Sequence, residues 1–191
     1  MKEKFLSVRN HLLTAFIPWI FFSIFYKAQG PASIWVSLIS ALLMIVLNGR
    51  ELRQGFVLPL GSVLFFLLLS FNNAFSFWPW ASAHAFQLIN SALAAIVLIS
   101  MIIGQPFTLQ YAREEVPKEN WSHPLFLKIN WILTSIWAVL MIIMALPSYF
   151  LTQEAIQGSW FFNYGLSILC IVIGVRCNKK IPDYIRGKSN L

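Results

Sequence analysis

The chain has 191 residues, 58% of them hydrophobic and 11% charged, against roughly 45 to 50% and roughly 25% in soluble globular domains. That balance excludes an ordinary water-soluble fold and leaves no room for a sizeable soluble domain beside membrane helices. The formal charge of +7 is spread between apolar runs rather than gathered on one patch, which excludes a nucleic-acid-binding surface and makes the basic residues topology determinants.

Six apolar segments follow in chain order, at residues 12–26, 32–48, 55–71, 84–104, 125–146 and 156–175. Each approaches the ~20 residues that cross a ~30 Å hydrocarbon core as a helix. The prediction is an all-α fold: a polytopic transmembrane helical bundle of six spans, forming a single integral membrane domain over residues 1–191. Lys2, Lys4 and Arg9 ahead of the first run resemble the start of a signal peptide. Its Phe and Trp content, and the poor cleavage site at 27–31, instead predict an uncleaved first helix.

Charge counting tests this arrangement independently, because short cytoplasmic connections concentrate Lys and Arg. With six spans and both termini cytoplasmic, Lys2, Lys4, Arg9, Arg50, Arg53, Arg113, Lys118, Lys128, Arg176, Lys179, Lys180, Arg186 and Lys188 fall inside. Only Lys27 of the fourteen basic residues falls outside. Adding or removing one span would move the later loops to the wrong side. The outer connections carry aromatic residues instead: Phe75, Phe77, Trp78 and Trp80 in one, Tyr149, Phe150, Trp160, Phe161 and Phe162 around the other. They read as an interfacial anchoring belt.

The connection at 105–124 is longer and more polar than the rest. A short helix is predicted over 108–116, started near Pro106 and stopped by Pro117, lying at the interface with Phe107, Tyr111 and Trp121 available to dip into it. Its mixed charges argue against an anionic-lipid sensor. As a candidate functional loop it offers Gln110, Tyr111, Arg113, Glu114, Trp121 and His123. The basic tail beyond residue 175 is expected to serve topology first and to touch anionic headgroups second.

Small and polar residues recur at three- and four-residue spacing within several spans, as helix contacts in lipid require. Ser33, Ser37, Ser40, Ala41, Met44 and Asn48 mark the second; Asn130, Thr134 and Ala138 the fifth; Asn163, Ser167, Cys170, Gly174 and Cys177 the sixth. Gln87, Asn90, Ser91 and Ala94 mark one side of the fourth. Read functionally, Gln87, Asn90, Asn130 and Asn163 would surround a polar pathway; read structurally, they join helices. No ionisable residue sits in the middle of any span, which favours the structural reading over a pump or proton relay.

His11, His84 and His123 form no metal or haem signature, and no cofactor is expected. Nucleophile elbows, phosphate-binding glycine loops and paired catalytic carboxylates are missing, so an enzyme is the lesser expectation. Lys128 reads as a snorkelling anchor. A pairing of Lys27 with Glu154 across the outer face has no sequence signal to support it.

Trp121, Pro124, Lys128, Ile129 and Asn130, then Trp160, Asn163, Gly165 and Pro182, give the final third a pattern that resembles the bacterial intracellular septation protein A family, the YciB-like inner-membrane proteins. The stretch 105–113 is similar to segments of uncharacterised multi-pass bacterial membrane proteins. What the resemblance implies is a bacterial inner-membrane location and a role in envelope maintenance or division, with no catalytic residues to carry across. The expectation is a non-enzymatic protein supporting envelope processes through contacts with membrane lipids and other inner-membrane or division proteins. A small transporter or channel subunit is the alternative, and a lipid-modifying enzyme using the polar loop comes third.

Overall fold

The structure is a computed structural model that describes residues 12, 14–26, 31–151, 155 and 159–189. Among them every regular element is helical and there is no strand. We number the helices α1 (Ile17–Phe25), α2 (Ala32–Leu47), α3 (Gly49–Arg53), α4 (Val57–Phe75), α5 (Pro79–Ala83), α6 (Ala85–Ile102), α7 (Phe107–Arg113), α8 (Pro124–Ala145), α9 (Pro147–Phe150) and α10 (Leu166–Ser189). Among the described residues, three stretches are long and apolar enough to cross a membrane: α4, α6, and Pro124–Phe150, which joins α8 to α9. The apolar helix α2 is shorter at 16 residues, or about 24 Å at ~1.5 Å per residue.

The chain divides into two compact units, Met1–Ile96 and Val97–Leu191, with the boundary inside α6. In the first unit α2 packs on α4 and on α1. Its Ser33, Ser37, Ser40, Ala41, Met44 and Asn48 are all buried, so the small-residue stripe read from the sequence is the packed face. Ser37 and Ser40 donate to the carbonyls of Ser33 and Val36 at 2.8 Å, which satisfies each buried hydroxyl within its own helix. Between α1 and α4 the core is aromatic. Trp19 stacks on Phe65 with centroids 5.4 Å apart and meets Phe66 at 4.8 Å, and its indole N–H donates to Ser62 Oγ at 3.0 Å. Gly61 lets Ile96 close in, since a Cβ there would lie 2.7 Å from Ile96 Cγ1.

In the second unit α7 and α10 both pack on α8. Trp137, wholly buried on α8, fills a notch at Gly174 of α10, where a Cβ would stand 2.6 Å from the indole ring. The same indole donates through Nε1 to Asn178 Oδ1 at 3.1 Å, one turn further along α10. Phe107 meets its ring edge-on at 6.2 Å.

Three boundaries differ from the sequence reading in ways that have physical causes. The third apolar run ends at Phe71, but α4 continues to Phe75 because Asn72 and Asn73 find hydrogen-bond partners instead of ending the helix; Ser76 then stops it with φ +52°. The short loop helix is Phe107–Arg113, with a separate 3-10 turn at Lys118–Asn120, rather than one helix over 108–116. At the other end, a π-helical turn, Phe161–Gly165, precedes α10, which runs fourteen residues past the expected limit of 175 to Ser189 with Pro182 inside it.

Candidate functional site

The polar connection begins where α6 ends. Gly104 takes φ +71°, its N–H bonds to Met101 O at 2.9 Å, and the N–H of Gln105 reaches back to Ser100 O at 2.9 Å. This glycine-closed helix end turns the chain sharply. The buried Ser100 hydroxyl then accepts the N–H of Phe107 at 3.1 Å, fixing the first residue of α7.

From there α7 is held by its own side chains. Phe107, Thr108, Leu109 and Tyr111 are buried. The Thr108 hydroxyl lies 2.9 Å from Asn130 O and 2.7 Å from Thr134 Oγ1, so it joins α7 to α8 at two points. The expected availability of Phe107 and Tyr111 to the membrane interface is therefore corrected: both face protein, because a hydroxyl pair and an aromatic contact on α8 give α7 a packed partner.

Trp121 closes the connection. Its Nε1 donates to both Arg113 O at 3.1 Å and Val116 O at 3.2 Å, binding the end of α7 to the turn that follows. Arg113 Cζ and Lys118 Nζ lie 5.4 Å and 6.0 Å from the indole centroid, within cation–π range. Arg113 also donates to Gln105 Oε1 at 3.4 Å. His123 caps α8, its Nδ1 accepting the N–H of Leu125 at 3.2 Å.

Of the six loop candidates, Arg113 and Trp121 are brought together, Tyr111 is buried, and Gln110 and Glu114 are half-buried. His123 is exposed and engaged at the start of α8. The set is a folded, charged cap rather than a row of groups converging on one reacting atom. Among the described residues no cluster of His, Cys, Asp and Glu is suited to a metal.

The intramembrane candidates separate. Asn130 is buried on α8 and donates to Phe126 O at 2.9 Å. On α6 the buried face is Ala85, Ile89, Leu93, Ala94, Ile96, Val97 and Ser100, so of the expected stripe Ala94 is buried while Gln87, Asn90 and Ser91 sit half-buried beside that face. Asn90 and Ser91 donate to the carbonyls of Phe86 and Gln87 in their own helix. The backbone of Asn163 lies in the π-helical turn, and its side chain is outside what is described, as are His11, Lys27 and Glu154.

A polar cluster in the first unit escaped the sequence reading. Asn73 Nδ2 lies within 3.3 to 3.4 Å of Tyr26 Oη, Ser33 O and Ser37 Oγ, and Asn73 Oδ1 accepts from Ser82 Oγ at 2.7 Å. Asn72 grips the following turn, accepting the N–H of Trp78 at 2.8 Å and donating to Ser82 Oγ at 3.0 Å. Beyond it Phe71, Phe75, Phe77, Trp78 and Trp80 are all exposed. The usable signal was the adjacent amide pair at the end of an apolar run.

No protein-family model, curated protein or solved structure matches the chain. The fold and the site define a class: an all-helical membrane protein with an ordered polar connection docked on a long apolar helix.

Proposed function

We propose that the chain is a six-span protein of the bacterial inner membrane with both termini in the cytoplasm, and that it supports envelope processes by contact rather than by catalysis. The folded 105–124 connection is the contacting surface. The observation that carries this reading is the double fastening of that connection, by Thr108 on α8 and by the Trp121 indole on the end of α7. A mere link between spans gains nothing from such order, whereas a docking surface gains affinity from being pre-arranged. Exposed Lys118, Glu119 and Asn120 would present it.

The six-span topology is supported by the thirteen-to-one partition of basic residues, and the inner-membrane location by the resemblance in residues 121–182. The solute-pathway alternative is not favoured, because the amide nitrogens of Asn90 and Asn130 each donate to a carbonyl of their own helix.

A photocrosslinking residue at Lys118, in intact membranes, is expected to capture one reproducible protein partner, and Trp121→Ala is expected to abolish that capture while the chain still folds. Capture of lipid or of random neighbours alone would sink the reading. Topology is checked separately. With Cys170 and Cys177 replaced by Ala, single cysteines at Ser76 and Lys118 should label from opposite sides of the membrane.

A further inference from the structure

Between α2 and α4 the chain makes a compact turn with an unusual lining. Asn48 breaks α2 with φ −123° and ψ 30°; its amide is buried, accepting from Thr14 Oγ1 at 3.3 Å and facing Met44 Sδ at 3.3 Å. Gly55, at φ +78°, and the bond from Phe56 N–H to Glu51 O at 2.9 Å close the other end. The turn is thus a fixed structure, and a shallow recess of about 490 Å³, open to the outside, lies against it.

Two kinds of surface meet in that recess. Val46 and Leu47, at the end of an apolar helix, supply an exposed hydrocarbon wall, with Val46 78% exposed. Arg50 and Arg53, three residues apart on α3 and therefore on one face of it, are both exposed residues that line the recess. Glu51 also lines the recess, but its side chain is only 1% exposed, so the guanidiniums rather than the carboxylate meet an incoming ligand.

From this combination we infer that the recess holds the phosphodiester of an anionic phospholipid, with Arg50 and Arg53 on the phosphate and an acyl chain along Val46 and Leu47. Planar guanidinium forks suit phosphate oxygens, and a basic recess beside an apolar helix end fits a molecule that is charged at one end and hydrocarbon at the other. Inorganic phosphate would use only half of it. This site rests on the chain being embedded in a membrane and is separate from the 105–124 surface.

The test uses the full-length chain, stripped of lipid in detergent and offered phosphatidylglycerol or phosphatidylcholine of identical acyl chains, with retained lipid counted by native mass spectrometry. Phosphatidylglycerol should be retained about tenfold better, and Arg50→Gln with Arg53→Gln should remove about that advantage. Gly49→Leu should lower retention with every charge intact, because a Cβ at Gly49 meets only open space and a longer side chain there can occupy the recess. Lys179→Gln with Lys180→Gln, an equal loss of charge on the basic tail, should lower it far less than the arginine pair does.

Equal loss in the arginine and lysine pairs would overturn the site in favour of diffuse charge. Glycerophosphoglycerol, which lacks chains, competing as well as the lipid would overturn the lipid as its source. If the glutamine pair does not fold, Arg50→Lys with Arg53→Lys keeps the charge and should still lose about threefold through the missing forks; full retention there would overturn the forked contact. Retained lipid specificity without a crosslink at Lys118 would remove the proposed function and leave this site standing, and the reverse result would do the opposite.

Discussion

The two units are fastened by different chemistry. In Met1–Ile96 the joint is an amide: Asn73 gathers Tyr26, Ser33, Ser37 and Ser82 from four other places in the sequence. In Val97–Leu191 it is a ring: Trp137 fills the space that Gly174 leaves and is held there by Asn178. Lipid chains are as apolar as leucine, so burying hydrocarbon drives helices together weakly, and what remains is hydrogen bonding and close packing. Both units use both, since Trp19 packs on Phe65 and Phe66 in the first and Thr108 bonds to α8 in the second; the contrast lies in these two joints.

The contrast predicts unequal sensitivity to substitution. The largest effect should come from the ring. Trp137→Ala is expected to cost about 4 kcal/mol by opening a large cavity, read as a shift in unfolding by SDS titration followed by circular dichroism. Gly174→Leu should also destabilise, and reducing the ring with Trp137→Leu in the same chain should recover part of that loss. Failure of this recovery would mean that the notch is not what holds α8 and α10 together.

The amide joint should give a smaller response. Hydrogen bonds between membrane helices are worth about 0.6 kcal/mol on average, so Asn73→Leu, which removes several at once, is expected to cost about 1 to 2 kcal/mol in the same titration. A loss equal to that of Trp137→Ala would erase the distinction between the units. Smallest of all should be Asn90→Leu, below about 0.5 kcal/mol, because its amide serves only a carbonyl of its own helix.

Legibility in the sequence followed the same chemistry. The serine stripe of α2 was readable because small residues at helical spacing have few uses in an apolar helix other than close packing, and all of Ser33, Ser37 and Ser40 are buried. On α6 that rule failed: Gln87 and Asn90 shared the spacing, but the large apolar residues Ile89, Leu93, Ile96 and Val97 took the buried face. An amide that can bond its own helix has no obligation to face a neighbour.

The loop candidates were legible as residues and not as an arrangement. Nothing local announced that Thr108 would meet Thr134, 26 residues away, or that Trp121 would turn its N–H back on the end of α7. The amide pair Asn72 and Asn73 was visible as residues, but the partners of Asn73 were not, lying 9 to 47 residues distant. The overshoot of α10 has another cause. Charge shows where a helix leaves an apolar medium, whereas helix ends depend on breakers and caps, and Arg176, Asn178, Lys179 and Lys180 contain no strong breaker, which carries the helix as far as Pro182.

The continuity of α10 has a mechanical consequence. Successive residues on a helix advance about 1.5 Å and rotate about 100°, so sliding α10 by one residue against α8 would carry Asn178 out of reach of the Trp137 indole and drive a side-chain-bearing residue into the place of Gly174. The ring and the notch act as a detent: they fix the register of the helix along its axis. A force applied at its basic end is then borne at Trp137 rather than dissipated by slippage.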